Sequence, residues 1–453
     1  MQRTLLPLPL FVALSGLTAC VPFQEQALKP ATTAKDFTSR NLDDKGLQSF
    51  LATQNAAHGS WTPDRLALVG TYFHADIAVA KAEQQEAAAR ITTAGQRPNP
   101  VLSFSPGYNS TTSGISPWIV TPTLDVPIET AGKRSIRIDQ ARAEVEASRL
   151  RLDATAWKIR KEIRTSMLDL YAARQIGKLQ AIQGLLHQDE LKKLQLMVEA
   201  GESAAFELNQ ARLSLNQAQL DQHDAEKLQA TALAQLASAV GVPSAALDPE
   251  KLDFSPFKTL PPDPGKLAQR QALSTRADLL AALADYAASD AALRLEIARQ
   301  YPNLHLNPGY ELDQTDNKWS LGFSLELPIL NQNRGPIAEA EAKRKKVAKV
   351  FEAKQRAVFA EIEIALAAYR TSRAKVATAS RLAKEAAHAS DTTQSMVESG
   401  ELAPLELTRR RIETSAATLG LEKALMEAQQ AAGDLEAAVQ IPARNSKPPL
   451  PTE

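Results

Sequence analysis

Between Pro302 and Gly335 apolar and polar residues take turns along the chain. Leu304, Leu306, Pro308 and Tyr310 are spaced by His305, Asn307 and Gly309. Trp319, Leu321, Phe323, Leu325 and Leu327 are spaced by Ser320, Gly322, Ser324 and Glu326. Period-2 alternation predicts strands with one apolar and one polar face. The polar stretch Glu311–Lys318 between the two runs predicts their turn. The region 303–329 therefore reads as a β-hairpin with an apolar face, and a lone hairpin of that kind needs a cover.

The same pattern occurs once more, over 99–128. Leu102, Phe104, Pro106 and Tyr108 alternate with Ser103, Ser105 and Gly107, and Trp118, Val120, Pro122, Leu124, Val126 and Ile128 alternate with mostly polar partners. Everything else after Pro63 has helical spacing. A helix is expected from Pro63 to Thr93, a long one from Thr130 to Val198, and a return helix from about Ser203 to Val240. The plan then repeats: a helix over Arg276–Gln300, a long one over Gly335–Val397, and a return over Ala403–Val439. Local matches support a duplication with an offset near 200: Val198-Glu-Ala-Gly201-Glu202 answers Val397-Glu-Ser-Gly400-Glu401, and Glu207-Leu208 answers Glu406-Leu407. The expected layout is a tail over 20–62, a first repeat over 63–242, a proline-rich connection over 243–274, a second repeat over 275–442 and a C-terminal tail over 443–453. A 69-residue helix from 130 to 198 spans roughly 100 Å, about the combined length of the two shorter helices of its repeat. Helices of that length bury their apolar stripes on one another as coiled-coil pairs.

Composition agrees with long packed helices. Lys plus Arg equals Asp plus Glu at 52 each, which gives no reason to expect a nucleic-acid partner, and aromatics make up only 5%. The basic run Lys343–Lys346 with Lys349 reads as a solvated helix face. The first residues form a secretory pattern: Arg3, an apolar run over Leu5–Leu14, then Leu17-Thr-Ala-Cys20. Residues 1–19 are expected to be a signal peptide. Cys20, the sole cysteine, stands where a bacterial lipobox places its acylated residue, and Val21 after it favours the outer membrane. The six histidines are scattered without ligand spacing, and there is no nucleotide-binding loop. No catalytic constellation, cofactor or metal site is expected, so the chain does not read as an enzyme.

The order helix, hairpin, long helix, glycine turn, return helix, given twice, resembles the TolC family of outer-membrane efflux channels, and within it the CzcC-like branch. The segment Ala94-Gly95-Gln-Arg-Pro98-Asn99-Pro100 and the paired Val-Glu-x-Gly-Glu turns carry the resemblance locally. It implies a mainly α protein with a small β part: a homotrimer whose four strands per copy close a 12-stranded outer-membrane barrel on a helical periplasmic tunnel. It also implies a tripartite efflux system with a periplasmic adaptor and an inner-membrane, proton-driven pump of the RND type, exporting small solutes or heavy-metal cations from a Gram-negative cell. The alternative is a lipid-anchored periplasmic coiled-coil protein without a channel.

On this resemblance Tyr108, Trp118, Tyr310 and Trp319 would anchor the barrel at the lipid interface, and His305, Asn307 and Glu326 would line the pore. The turns at Gly201, Glu202, Glu207 and Leu208, and at Gly400, Glu401, Glu406 and Leu407, would form the periplasmic tip where the adaptor docks. Glu207 and Glu406 would be gate candidates, since a carboxylate facing inward from each of three copies makes a cation-attracting ring. Family members with a well-studied gate carry an Arg in the second tip; here Leu402 follows Gly400 and Arg409–Arg411 come later, so that latch is not carried over.

Overall fold

The computed structural model describes residues 21–111, 116–263 and 265–442, without the side chains of 266–269. The expected signal peptide, Cys20 and the tail over 443–453 lie outside these residues. Residues 21–40 form a unit of their own, with helix α1 (Pro30–Thr38); the described residues from Asn41 onward form the other.

The segment expected as a loose tail is partly folded. Helix α2 (Lys45–Thr53) is capped by Asp44, whose carboxylate accepts the Leu47 N–H at 2.8 Å, and it buries Leu47 and Leu51 completely. Nine residues with few apolar positions are too short for periodicity to announce a helix, so tertiary burial decides. The helix expected over Pro63–Thr93 is two: α3 (Pro63–Phe73) and α4 (Ala75–Gly95). They part at His74, whose backbone is extended and whose ring Nδ1 accepts the Asp76 N–H at 3.1 Å. The second repeat breaks at the matching place. Helix α7 (Gly265–Thr275) occupies the end of the expected proline-rich connection, and α8 (Ala277–Ala298) starts after an extended Arg276.

Strands β1 (Val101–Tyr108), β2 (Trp118–Ile128), β3 (Leu304–Asp313) and β4 (Asp316–Leu325) form one antiparallel sheet in chain order. The hairpin β3–β4 is tighter than expected: its strands run on through Glu311–Lys318 to a two-residue turn at Gln314 and Thr315, with Gln314 at φ 57°. Leu327 lies past the end of β4. Between β2 and β3 the ladder lacks pairs at Pro122 and Pro308, which have no N–H to give.

Helices α5 (Lys133–Glu199) and α6 (Ala205–Val240), then α9 (Arg334–Glu398) and α10 (Pro404–Val439), are the long pairs. Ala211, Ala218, Ala225 and Ala232 on α6 are all buried at seven-residue spacing, and small residues along one stripe let two backbones come close over their whole length. The helices pack in two open rows of four. Toward the turns the order is α6, α5, α10, α9; toward the sheet it is α4, α5, α8, α9.

The rows are tied where the connection after α6 crosses. Tyr171 of α5 stacks on Phe254 and Phe257 at 5.4 and 6.1 Å between centroids. Gln429 of α10, fully buried, donates to the carbonyls of Phe257 and Thr259 at 2.8 and 2.9 Å. Buried Arg160 joins α5 to Glu436 of α10 at 2.9 Å and to Asp64 of α3 at 2.5 Å. Arg160, Glu436 and Gln429 are each buried with a partner, as buried polar groups must be.

Candidate functional site

Two places concentrate features that helix packing does not require: the sheet and the helical turns at the far end. The sheet has a consistent apolar face because its register matches apolar to apolar across all four strands. Leu102 pairs Leu124, Phe104 pairs Pro122, Val126 pairs Leu306, and Leu306 pairs Phe323. Among the described residues no helix covers this face; Leu102, Phe104, Leu321 and Phe323 are exposed and Trp319 is 82% exposed. The four expected anchors come together in two register pairs. Tyr108 lies edge-on to Trp118 at 5.1 Å, and Tyr310 leans on Trp319 at 4.8 Å, with the Tyr310 hydroxyl donating to Asn317. Both pairs sit near the hairpin ends of the sheet, so they mark one rim of the apolar band.

The opposite face is polar. His305 meets the Asp125 carboxylate at 2.9 Å, joining the two hairpins, and Asn307 donates to the Ser324 hydroxyl at 3.2 Å. Lys318 lies between Glu311 and Asp313 at 3.1 and 2.8 Å. Glu326 stands just beyond β4 and is exposed. Within the strands this face therefore carries Asp125, Glu311, Asp313 and Asp316 against one lysine. The sheet is held to the helices at its base: the Lys133 ammonium donates to the Tyr301 carbonyl at 2.5 Å and to Asn303 at 2.6 Å, and the Thr130 hydroxyl to the Pro302 carbonyl at 2.5 Å.

The two turns are built alike. After α5 the Gly201 N–H donates to the Val198 carbonyl at 3.1 Å and the Glu202 N–H to Met197 at 2.8 Å; after α9 the Gly400 and Glu401 N–H groups repeat this on Val397 and Met396 at 3.1 and 2.8 Å. Such a helix end needs a left-handed residue, and Gly201 and Gly400 have φ 75° and 81°. A Cβ at either would meet nothing within 4 Å, so conformation and not space demands glycine. Leu208 packs on a small cluster of Leu194, Ala211 and Leu405, and Leu407 is half-buried. Glu202 and Glu401 are exposed at the turns themselves.

Glu207 and Glu406 are brought together by a residue that sequence reasoning set aside. Arg409 reaches both at 3.3 Å and Glu190 of α5 at 3.6 Å. Beside it Lys193 holds Asp189 and the Thr408 hydroxyl, each at 2.6 Å, and that hydroxyl donates to Asp189 at 2.7 Å. Burial opposes the charge on Asp189, but the bonds from Lys193 and Thr408 outweigh it and hold its carboxyl below the usual range. These two clusters clamp α5 to α10. The spacings Asp189-x-x-x-Lys193 and Glu406-x-x-Arg409 were visible in the sequence; that both pairs face one seam was not. Among the described residues no group of three His, Cys, Asp or Glu side chains could hold a metal ion, and no helix is long and apolar enough to cross a membrane.

Comparison with known proteins gives consistent matches. The family model "Outer membrane efflux protein" matches residues 74–242 and 268–439. The cobalt-zinc-cadmium resistance protein CzcC of Cupriavidus metallidurans is 25% identical over 224 residues, 49% of this chain; the match spans about half of that relative, 52%. Among solved structures, CusC aligns with a TM-score of 0.66 at 18% identity over 83% of this chain and 91% of CusC, and VceC of Vibrio cholerae with 0.68 at 15% over 87% and 98%. At those identities the likeness is one of fold.

Proposed function

The chain belongs to the outer membrane efflux protein family, and from that premise we propose that three copies form a passive duct through the outer membrane. The observation that carries the proposal is the sheet: four strands, an uncovered apolar face, and two open edges at β1 and β4. In lipid every backbone N–H and C=O needs a partner, so strands persist there only in a closed barrel. Four strands cannot close, whereas three copies supply twelve. Because β1 and β4 run in opposite directions, β4 of one copy meets β1 of the next antiparallel, and the alternation is unbroken around the ring. The apolar band then faces lipid, with its Tyr and Trp rim at the outer interface, and the Asp125, His305 and Asn307 face lines the pore.

The long helices continue the duct as a tunnel, narrowed at the Gly201 and Gly400 turns, where a periplasmic adaptor docks. The tunnel is passive in this reading, and transport energy would come from an inner-membrane pump reached through that adaptor. The excess of carboxylates on the polar sheet face suits cations, and the relative CzcC is a cobalt-zinc-cadmium resistance protein. We take divalent metal cations as the exported class on those two grounds. Cys20 would carry a lipid anchor, which mass spectrometry of the mature N-terminus would show.

The test is the reversal potential of the purified trimer in a planar bilayer under a salt gradient. Cation preference is expected, reduced by Asp125→Asn with Glu311→Gln; anion preference would contradict the assignment.

A further inference from the structure

The strand pairing sets His305 opposite Pro127 of β2 and Ser324 of β4. Asp125 stands two residues from Pro127 on the same face, and such diagonal neighbours lie within reach of long side chains. In the first hairpin Pro106-Gly-Tyr108 answers Pro308-Gly-Tyr310, and this alignment puts Ser103 at the place of His305. The fold thus fills the equivalent strand position without an imidazole. The ring of His305 is held in one orientation. Its Nδ1 lies 2.9 and 3.1 Å from the two Asp125 oxygens. An ionised carboxylate only accepts, so Nδ1 carries the hydrogen and donates it. The lone pair of the neutral ring is then on Nε2. Among the described residues Nε2 has no hydrogen-bond partner. The Ser324 hydroxyl on the next strand is taken by Asn307 at 3.2 Å, and Pro127 has no N–H to give. The side chain is 38% exposed on the polar face. A carboxylate that fixes the tautomer and raises the basicity of the other nitrogen is the usual support of a metal-binding histidine.

From this geometry we propose that His305 Nε2 is a ligand for divalent transition-metal cations such as zinc and cobalt, with Asp125 holding the ring from behind. The placement of the site on the wall of a duct rests on the channel reading; the ligand itself does not. Imidazole suits these cations, whereas magnesium and calcium take oxygen ligands. Among the described residues no three ligand-type side chains gather to hold an ion. His305 therefore supplies one protein ligand, and water completes the shell. Binding of that kind is weak and quickly released, which is what conduction asks of a site along a pore. The carboxylates of the polar face draw any cation; the imidazole is what tells a zinc ion from a magnesium ion.

The test is carbethoxylation of the full-length protein in detergent by diethyl pyrocarbonate, followed histidine by histidine by peptide mass spectrometry. The reagent attacks the unprotonated ring nitrogen, the one a metal takes. Millimolar zinc chloride should slow modification of His305 several-fold, and magnesium chloride at the same concentration should not. Asp125→Ala should raise the zinc concentration for half protection about tenfold or more. Modification of His305 that zinc leaves unchanged, or that magnesium slows equally, overturns the assignment and leaves the pair as a staple between hairpins. Unchanged half protection in Asp125→Ala overturns the role given to Asp125. In a planar bilayer zinc should reduce the potassium current of the wild type more than magnesium does, and His305→Ala should remove that difference. A difference that persists in His305→Ala overturns His305 as the contact made in the duct. Zinc protection of His305 in a protein that forms no conducting trimer would overturn the channel reading and leave the metal ligand standing.

Discussion

Replacing Arg409 by Ala removes the one cation shared by Glu207, Glu406 and Glu190. Each pair is at 3.3–3.6 Å, with the arginine side chain 40% exposed and Glu190 15% exposed. Charges about 4 Å apart attract by ~4 kcal/mol at an effective dielectric near 20. Solvent screening and side-chain ordering reduce exposed pairs to ~0.2–1 kcal/mol each. Three pairs thus contribute about 1.5 kcal/mol per copy to holding α5 against α10 at the tip. In a trimer that unlatches as one, the sum is ~4–5 kcal/mol, about a thousandfold in the closed-to-open ratio. The assay is resting leak in a planar bilayer, with the wild type near 1 M salt as a control, because screening at that ionic strength should mimic part of the effect. Arg409→Ala should leak steadily while its thermal midpoint moves little; Glu406→Gln should also raise the leak or shift cation preference. A resting leak equal to wild type in both variants refutes the clamp.

Gln429→Leu should lower the thermal midpoint in detergent, since it strands the Phe257 and Thr259 carbonyls at a cost of about 2 kcal/mol; an unchanged midpoint would show that the connection is held by its aromatics alone. Glu422 has a buried Oε2 without a hydrogen-bond partner, and burial raises its pKa above the ordinary 4.5. A raised carboxyl costs nothing below pH 4 and progressively destabilises the fold as pH climbs through the raised value. Glu422→Gln should therefore stabilise at pH 7, by up to ~1 kcal/mol because the side chain is only half-buried, and not at pH 4; an equal shift at both pH values would remove titration as the cause. Leu321→Arg, in the middle of the apolar face of β4, should block assembly in membranes, at roughly 2–4 kcal/mol per site; trimers inserting as readily as wild type would mean that this face does not meet lipid.

Long periodic features were legible in the sequence. The alternation around Trp319 and Trp118 located all four strands, and the Gly201 and Gly400 repeats located both turns, because each rests on local backbone demands. Features decided by tertiary contact were not legible. Helix α2 exists because Leu47 and Leu51 find a core. The break at His74 depends on one ring nitrogen taking a backbone N–H. The end of the expected connection folds into helix α7 although its start is proline-rich. Arg409 was visible as a residue but not as a clamp, since its three partners come from α5, α6 and α10, and only the antiparallel seam gathers them.

The central claim is that the uncovered sheet face meets lipid in a closed trimeric barrel. The most direct test is to purify the Cys20→Ala form, which cannot be acylated, and determine its detergent requirement, oligomeric mass and conductance together. The account predicts a trimer that stays in solution only with detergent and conducts ions across a planar bilayer. A monomer that is soluble without detergent and silent in the bilayer would contradict it.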